Sequence, residues 1–537
     1  MKPILKPLLL TAGASLFLAS CGTTAIVSTP IENIDNVPLK VEALTDAQKQ
    51  NWGHLDLVQD TVPGMSVDKA YAELLEGRKG KTVIVAVIDA GIDIDHEDLD
   101  GVIWTNTKEV PNNGKDDDKN GYIDDVHGWN FLGKSYNETL EMTRIVKAGD
   151  TNSDYYMSAK AELDKEYQET LAGKTRYDQL LQQTKSAHEA VKAKLGKSEY
   201  TKEDLESIEN PDETMKQHIG FLTQMLNYAD SIPDLQKQLE GGVEYFGDRL
   251  NYNLNVDFDG RKVVGDDVYD ITDRNYGDNN VKPVKKSESH GTHVAGIIAA
   301  ERNNGKGVNG VANNVLIMPV RAVPNGDEYD KDVALAIRYA ADNGAKIINT
   351  SFGKGYSPNS KWVHDAIAYA GKKDVLIVNA AGNDGKDLDD PKNPTFPNDA
   401  ENNGPEVSDN FLTVGALSNK YGSNMVAGFS NYGKINVDVF APGAGIYSTM
   451  PENGYEFQGG TSMAAPATAG VAALVRSYYP KLKASQVKEV IMRSGLPVAA
   501  KVVVGGDPKN VKPFGDLSKS AKMVNAYNAL ILASKTK

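Results

Sequence analysis

Apolar residues in this chain fall into short continuous runs separated by amphipathic stretches. The runs "TVIVAVID" (82–89), "VLIMPVRAV" (315–323), "AKIINTSFG" (345–353), "DVLIVNAAGN" (374–383) and "NFLTVGAL" (410–417) are apolar at successive positions and rich in β-branched residues. Such runs predict strands buried on both faces, as in a parallel sheet. Between them, "KDVALAIRYAADNG" (331–344) and "SKWVHDAIAYAGKK" (360–373) repeat apolar positions at helical spacing. Strand and helix in alternation predict βαβ units and an α/β fold with a doubly wound, mainly parallel sheet. In such sheets the chemistry sits beyond the carboxyl ends of the strands.

One segment breaks this rhythm. Residues 136–250 are rich in Lys, Glu, Gln, Leu and Tyr, as in "SAKAELDKEYQETLAGKTRYDQLLQQTKSAHEAVKAKL", punctuated by Gly196 and Pro211. The period is helical, which predicts an α-helical insertion, a hairpin or small bundle. The N-terminus reads "MKPILKPLLLTAGASLFLASC": two lysines, an apolar run and small residues, the pattern of a secretory signal peptide. Its end, "LASCG", is similar to a bacterial lipobox, with Cys21 as the lipidated residue; the bland alternative is an ordinary signal peptide with an incidental cysteine. The expected organisation is a signal peptide at 1–20, a polar tether at 21–50, the first part of the main domain at 51–135, the insertion at 136–250, and the remainder at 251–537.

Composition narrows the partners. The chain has 537 residues, 40% hydrophobic, enough for one large α/β domain with insertions. Net charge is −15 with no long basic run, which argues against a nucleic-acid partner. Cys21 is the sole cysteine, so no intrachain disulfide forms.

Three polar residues stand at strand ends or helix starts. Asp89 closes "VIVAVID", His290 opens "HGTHVAGIIAA", and Ser462 opens the small-residue helix "SMAAPATAGVAALVRSYYP". A nucleophilic serine needs a base, and the base needs a carboxylate to fix its tautomer and stabilise the imidazolium. A helix start also aims unpaired N–H groups at an oxyanion formed on attack. Pro466 is expected in the first turn, where a helical N–H lacks a partner anyway. Asn383, in the Gly-bounded turn "NAAGNDG", offers a side-chain amide as a second oxyanion donor. Singly, Asp89 can be a turn cap, His290 and His293 packed histidines, and Asn383 a turn residue.

The four stretches "VIDAGIDIDHEDL", "HGTHVAG", "AAGND" and "GTSMAAP" together resemble the subtilisin-like serine peptidases, over about residues 80–132 and 285–495. The resemblance implies a subtilisin-type fold and a serine endopeptidase with Asp89, His290 and Ser462 as triad and Asn383 in the oxyanion hole. It implies that "TSFG" (350–353) pairs with substrate backbone as an added strand, with Ser351, Phe352, Gly353 and Gly382 along the substrate cleft. Protein or peptide substrates are the implied partners. Larger bacterial envelope members share this insertion style, which fits the lipobox. The expected location is the cell envelope, attached by lipid alone at the outer membrane and facing the periplasm, since no acidic run follows Cys21, with the surface as the alternative. Two departures stand out. Ala90 stands where Ser or Thr commonly follows the aspartate, and Asp89 and His290 are separated by 201 positions, a gap the insertion fills. The competing reading is a gated or inactive peptidase fold that binds peptides or a partner through the insertion.

The loop "DDDKNGYIDDVHGWNF" has the alternating oxygen ligands of a calcium loop: Asp116, Asp118, Asn120, the Tyr122 carbonyl and Asp124. Hard oxygen donors favour structural Ca2+, although His127 stands where such loops carry a glutamate. A solvated Asp-rich turn is the alternative.

Overall fold

The computed structural model describes residues 26, 28–32, 34–36 and 43–537. The signal peptide and Cys21 lie outside the described residues. Among the described residues, thirteen strands form in chain order: β1 (Val83–Asp89), β2 (Trp129–Asn130), β3 (Val315–Arg321), β4 (Ile347–Thr350), β5 (Leu376–Ala380), β6 (Phe411–Leu417), β7 (Val439–Pro442), β8 (Ile446–Met450), β9 (Gly454–Gln458), β10 (Leu496–Pro497), β11 (Lys501–Val503), β12 (Val511–Pro513) and β13 (Lys522–Met523). Nine of them make one sheet in the order β10-β13-β7-β6-β5-β4-β1-β3-β2. Its pairings are parallel except β10 with β13. β1 lies between β3 and β4, with Asp89 opposite Arg321 and Ile88 opposite Thr350.

The period-two pleat sends successive side chains to opposite layers. Val83, Val85 and Val87 join one core cluster, while Ala86 and Ile88 join the other. This is why β1 reads apolar at every position from Val83 to Ile88. Ten helices matter for the argument: α1 (Glu141–Ala148), α2 (Tyr156–Leu195), α3 (Glu213–Met225), α4 (Ile232–Asp248), α5 (His290–Ala299), α6 (Asp330–Asp342), α7 (Ser360–Lys372), α8 (Thr461–Tyr478), α9 (Ala484–Ser494) and α10 (Ala526–Ala533). α5, α8, α9 and α10 cover one face of the sheet, and α6 and α7 cover the other. The result is the doubly wound subtilisin-type α/β fold.

Between Asp89 and His290 the chain is mainly helical over residues 141–253. α2 runs 40 residues on a sequence dominated by good helix formers, about 60 Å long. It stops at Gly196, which takes the left-handed conformation at φ +71°. α3 and α4 fold back beside it, with a separate core of Leu181, Val191, Leu205, Leu222, Leu235 and Leu239. The bundle therefore has a hydrophobic centre of its own.

The described part of the expected tether is docked. Ile34 is buried, and the Ile31 backbone exchanges hydrogen bonds with the Asn528 side chain. Thr45 caps the short helix Asp46–Asn51, and the buried Trp52 donates its indole N–H to the Gly445 carbonyl at 3.0 Å. Among the described residues, no helix is long and apolar enough to cross a membrane.

Candidate active site

Asp89 ends β1 with its carboxylate fully buried at the carboxyl edge of the sheet. Its Oδ1 accepts the Ala90 N–H at 2.8 Å and the His290 Nδ1–H at 2.7 Å. Its Oδ2 is buried without a hydrogen-bond partner, and Ala90 has no hydroxyl to supply one. His290 opens α5, and its side chain is 38% exposed. Burial works against an imidazolium there, but the adjacent Asp89 carboxylate outweighs it and holds the His290 pKa above its ordinary value. With Nδ1 donating to Asp89, Nε2 is left as the acceptor.

This pair is held from beneath. Glu288, two residues before the histidine, accepts from Gly91 N (3.1 Å), Val284 N (2.7 Å) and Arg321 Nε (2.6 Å). It thus joins the loop after Asp89, the approach to α5 and the end of β3. Gly291 lets α5 approach that loop, since a Cβ there would stand 2.6 Å from the Ala90 carbonyl oxygen. His293 is packed, its Nε2 placed 3.1 and 3.2 Å from the carbonyls of Ile446 and Glu456 on the β8–β9 hairpin. Burial pushes its pKa down to about 4.

Ser462 is the second residue of α8. Its hydroxyl donates to the Ser351 carbonyl at 3.0 Å and makes no hydrogen bond to His290. Pro466 is not in the first turn. It stands at the sixth helical position, where it removes the N–H that the Ser462 carbonyl would have accepted. The Ser351 hydroxyl supplies the missing donor at 2.8 Å, so the proline ties the nucleophile's turn to the chain after β4.

Asn383 is oriented by Thr461. Its Oδ1 accepts Thr461 N at 2.8 Å and the Thr461 hydroxyl at 3.0 Å, and that hydroxyl accepts Gly382 N at 3.0 Å. With the oxygen so held, the amide Nδ2 turns toward the start of α8. A Cβ on Gly460 would stand 3.5 Å from both Asn383 Nδ2 and Ser462 N. The Asn383 amide and the Ser462 N–H thus border the same space, which a glycine keeps clear.

Ser351 is buried against α8, and Gly353 passes so close to Phe396 that a Cβ would lie 3.1 Å from its carbonyl oxygen. Lys354 and Phe396 exchange backbone hydrogen bonds of 2.9 Å, while Phe352 packs into the α6–α7 core. Asp89, His290, Ser462, Asn383, Ser351, Gly353 and Gly382 thus meet at one edge of the sheet.

In the Asp-rich loop, Asp116 accepts the N–H groups of Asn120 and Gly121, Asp118 that of Asn120, and Asp124 those of Asn113 and Gly114. Asn120 donates to Asp125, and the Tyr122 ring packs on Trp129, Phe131 and Tyr339. Among the carboxylates, Glu109, Asp118 and Asp125 form a tight cluster whose oxygens lie within 4.8 Å of one another, which takes in Asp118 of the expected set and leaves out Asp116 and Asp124. Glu109 Oε2 is buried without a partner, and burial pushes the Asp125 carboxyl up to about 6. Three close carboxylates with an unserved oxygen suit a hard cation.

Glu288, Arg321 and Glu109 support the site from positions outside the sequence motifs, while Thr461 lies within "GTSMAAP" and Asp125 within the Asp-rich loop. Arg321 did leave a signal: it is a lone cation ending an apolar strand.

The sequence model of the Subtilase family, peptidase S8, matches residues 80–516. The chain is 41% identical over 240 residues to the thermophilic serine proteinase of Bacillus sp. (strain AK1), covering 44% of this chain and 51% of that protein. It is 37% identical over 230 residues to the cell wall-associated protease of Bacillus subtilis (strain 168), covering 43% and 24%. It is 41% identical over 201 residues to thermitase of Thermoactinomyces vulgaris, covering 37% and 65%. The chain thus spans from a quarter to about two thirds of the length of these relatives. The match of the family model over most of the chain, on the sheet and the site just described, places the protein in the subtilase family.

Proposed function

We propose that the chain is an exported serine endopeptidase that cleaves peptide bonds through Asp89, His290 and Ser462. The observation that carries this is the 2.7 Å Asp89–His290 contact beside a helix-start serine whose N–H borders the same space as the Asn383 amide. A substrate strand pairs with Ser351–Gly353. Its N–H groups compete for the Ser351 carbonyl, and the Ser462 hydroxyl turns to His290 Nε2. The hydroxyl oxygen attacks the scissile carbonyl while Nε2 takes its proton, and the buried Asp89 carboxylate stabilises the imidazolium. Ser462 N–H and Asn383 Nδ2 donate to the oxyanion. His290 then protonates the leaving amine, and water, activated in the same way, releases the acyl group. The raised His290 pKa makes the imidazolium a good proton carrier for the second half of each step.

Glu109, Asp118 and Asp125 would hold a Ca2+ ion whose role is structural charge neutralisation. Asp125 also accepts the Tyr339 hydroxyl at 2.6 Å, which ties the loop to α6. Lipid attachment at Cys21 fits an enzyme retained at the cell envelope, with the signal peptide removed on export.

The test is hydrolysis of an unfolded protein substrate by the wild type and by Ser462→Ala. Cleavage is expected from the wild type alone, and equal cleavage by both would refute the assignment.

A further inference from the structure

The root of the helical insertion is bonded to both edges of the substrate track. β1 stops at Asp89, whose carbonyl accepts Ala322 N at 2.9 Å and Val323 N at 3.2 Å, while the chains after β3 and β4 run on. Neighbouring strands lie about 4.8 Å apart, so the vacated track between these two chains admits one extended peptide. The outer side of the β3 extension faces the insertion. Asn325 N donates to the Tyr136 carbonyl at 2.7 Å, and Glu138 N donates to the Asn325 carbonyl at 3.1 Å. The next turn of chain is α1, and its Arg144 guanidinium donates to the carbonyls of Thr139 (2.8 Å), Asp327 (3.0 Å) and Glu328 (3.2 Å) and to Glu141 (2.5 Å).

Glu141 reaches the opposite edge. Its Oε2 accepts Lys354 Nζ at 2.7 Å, and Lys354 follows Ser351–Gly353 directly. Lys354 also donates to the Glu328 carbonyl at 2.8 Å and sits 2.8 Å from Asp330. Glu141, Arg144 and Lys354 are all buried. A planar guanidinium can serve three carbonyls and a carboxylate at fixed angles, which a lysine ammonium cannot reproduce. The start of α2 adds a second contact on the same side. The Tyr155 ring meets Tyr356 edge-on at 5.7 Å, Glu162 accepts the Tyr356 hydroxyl at 2.7 Å, and Tyr155 walls a cavity of about 260 Å³ alongside Phe396 and Pro397.

We propose that Glu141 and Arg144 are positioning residues that set the spacing and register of the two edges for a bound peptide, so that the insertion is a fixed part of the cleft. This rests on the peptidase reading above. It assigns the insertion a role in gripping substrate residues on the acyl side of the scissile bond, away from the triad itself.

The experiment uses the full chain with Arg144→Lys, Arg144→Ala and Tyr155→Ala. Three quantities are measured: the rate of Ser462 labelling by a small fluorophosphonate, and kcat and KM for chromogenic peptides with one or four acyl-side residues. The expected result is labelling and single-residue turnover within about threefold of wild type, and a four-residue KM raised about tenfold or more with kcat little changed. Arg144→Lys should fall between wild type and Arg144→Ala. Should the buried arginine variants fail to fold, the half-buried Tyr155→Ala must show the same selective rise in KM. Equal losses on short and long peptides, or no change in KM, would overturn the positioning role. An unlabelled wild type would instead remove the peptidase reading on which it rests.

Discussion

Thr461→Val removes one hydroxyl at the point where the oxyanion amide is oriented. In the wild type that hydroxyl accepts Gly382 N at 3.0 Å and donates to Asn383 Oδ1 at 3.0 Å, while the Thr461 backbone N–H holds the same oxygen at 2.8 Å. Valine has nearly the same shape, so the buried site gains no cavity; it loses one of two bonds fixing the Asn383 side chain. A net hydrogen bond is worth about 0.5–1.5 kcal/mol, and about 1.4 kcal/mol is tenfold in rate, so kcat should fall about 2- to 13-fold. Asn383→Ala removes the oxyanion donor itself and should cost about 10²–10³ in kcat, about 2.7–4 kcal/mol. KM should move little in either, because the donor acts on charge that develops only in the transition state. The decisive variant carries both changes. If Thr461 acts through Asn383, adding Thr461→Val to Asn383→Ala lowers kcat no further, and the coupling equals the whole single-mutant effect. The assay is steady-state hydrolysis of a chromogenic tetrapeptide, with denaturant midpoints measured in parallel to separate loss of stability. Additive losses, or a change confined to KM, would refute the reasoning.

Three further outcomes follow from the same geometry. Because the Asp89 carboxylate holds the His290 pKa above its ordinary value of about 6.5, kcat/KM should rise with pH through a limb above that value. The stability contributed by the Asp89–His290 pair is full below about 6.5 and is lost as pH rises through the folded pKa; in Asp89→Asn burial alone remains, the limb moves to lower pH, and kcat falls by about 10⁴. Glu288→Gln breaks a buried pair with Arg321 and weakens its bonds to the loop after Asp89, so the unfolding free energy should fall by about 3–5 kcal/mol in denaturant melts. Chelation of Ca2+ should lower the unfolding temperature of the wild type, by the equivalent of about 2.7 kcal/mol if calcium had stood at 100 times its Kd. In Glu109→Gln the chelator should have little effect, and a full chelator effect in that variant would exclude the Glu109–Asp118–Asp125 cluster as the ion site.

The sheet was legible because burial on both faces leaves few polar positions, most of them toward the carboxyl ends of the strands. β1, β3, β4, β5 and β6 all coincide with the apolar runs, and the helical insertion declared itself through composition and period. Short elements were not legible. β2 is two residues long, and the β8–β9 hairpin pairs around Pro451–Asn453 without an alternating pattern strong enough to stand out. Asp89, His290 and Ser462 could be found because each sits at a strand end or helix start inside a motif, and Asn383 because it lies in a Gly-bounded turn after β5. Their supports could not, since Thr461 and Glu288 act through contacts between segments far apart in sequence. The metal loop shows the same limit. Its Asp-rich spacing was visible, while Glu109, which completes the carboxylate cluster with Asp118 and Asp125, came from outside the repeat. Pro466 was visible, yet its consequence depends on Ser351, 111 positions away from Ser462.

The most direct test of the central claim is to treat the purified chain with a fluorophosphonate and map the adduct by tandem mass spectrometry, beside Asn383→Ala and Ser462→Ala. The account expects a single adduct on Ser462, slower labelling in Asn383→Ala, and none in Ser462→Ala. An adduct on another serine, or undiminished labelling of Ser462→Ala, would contradict it.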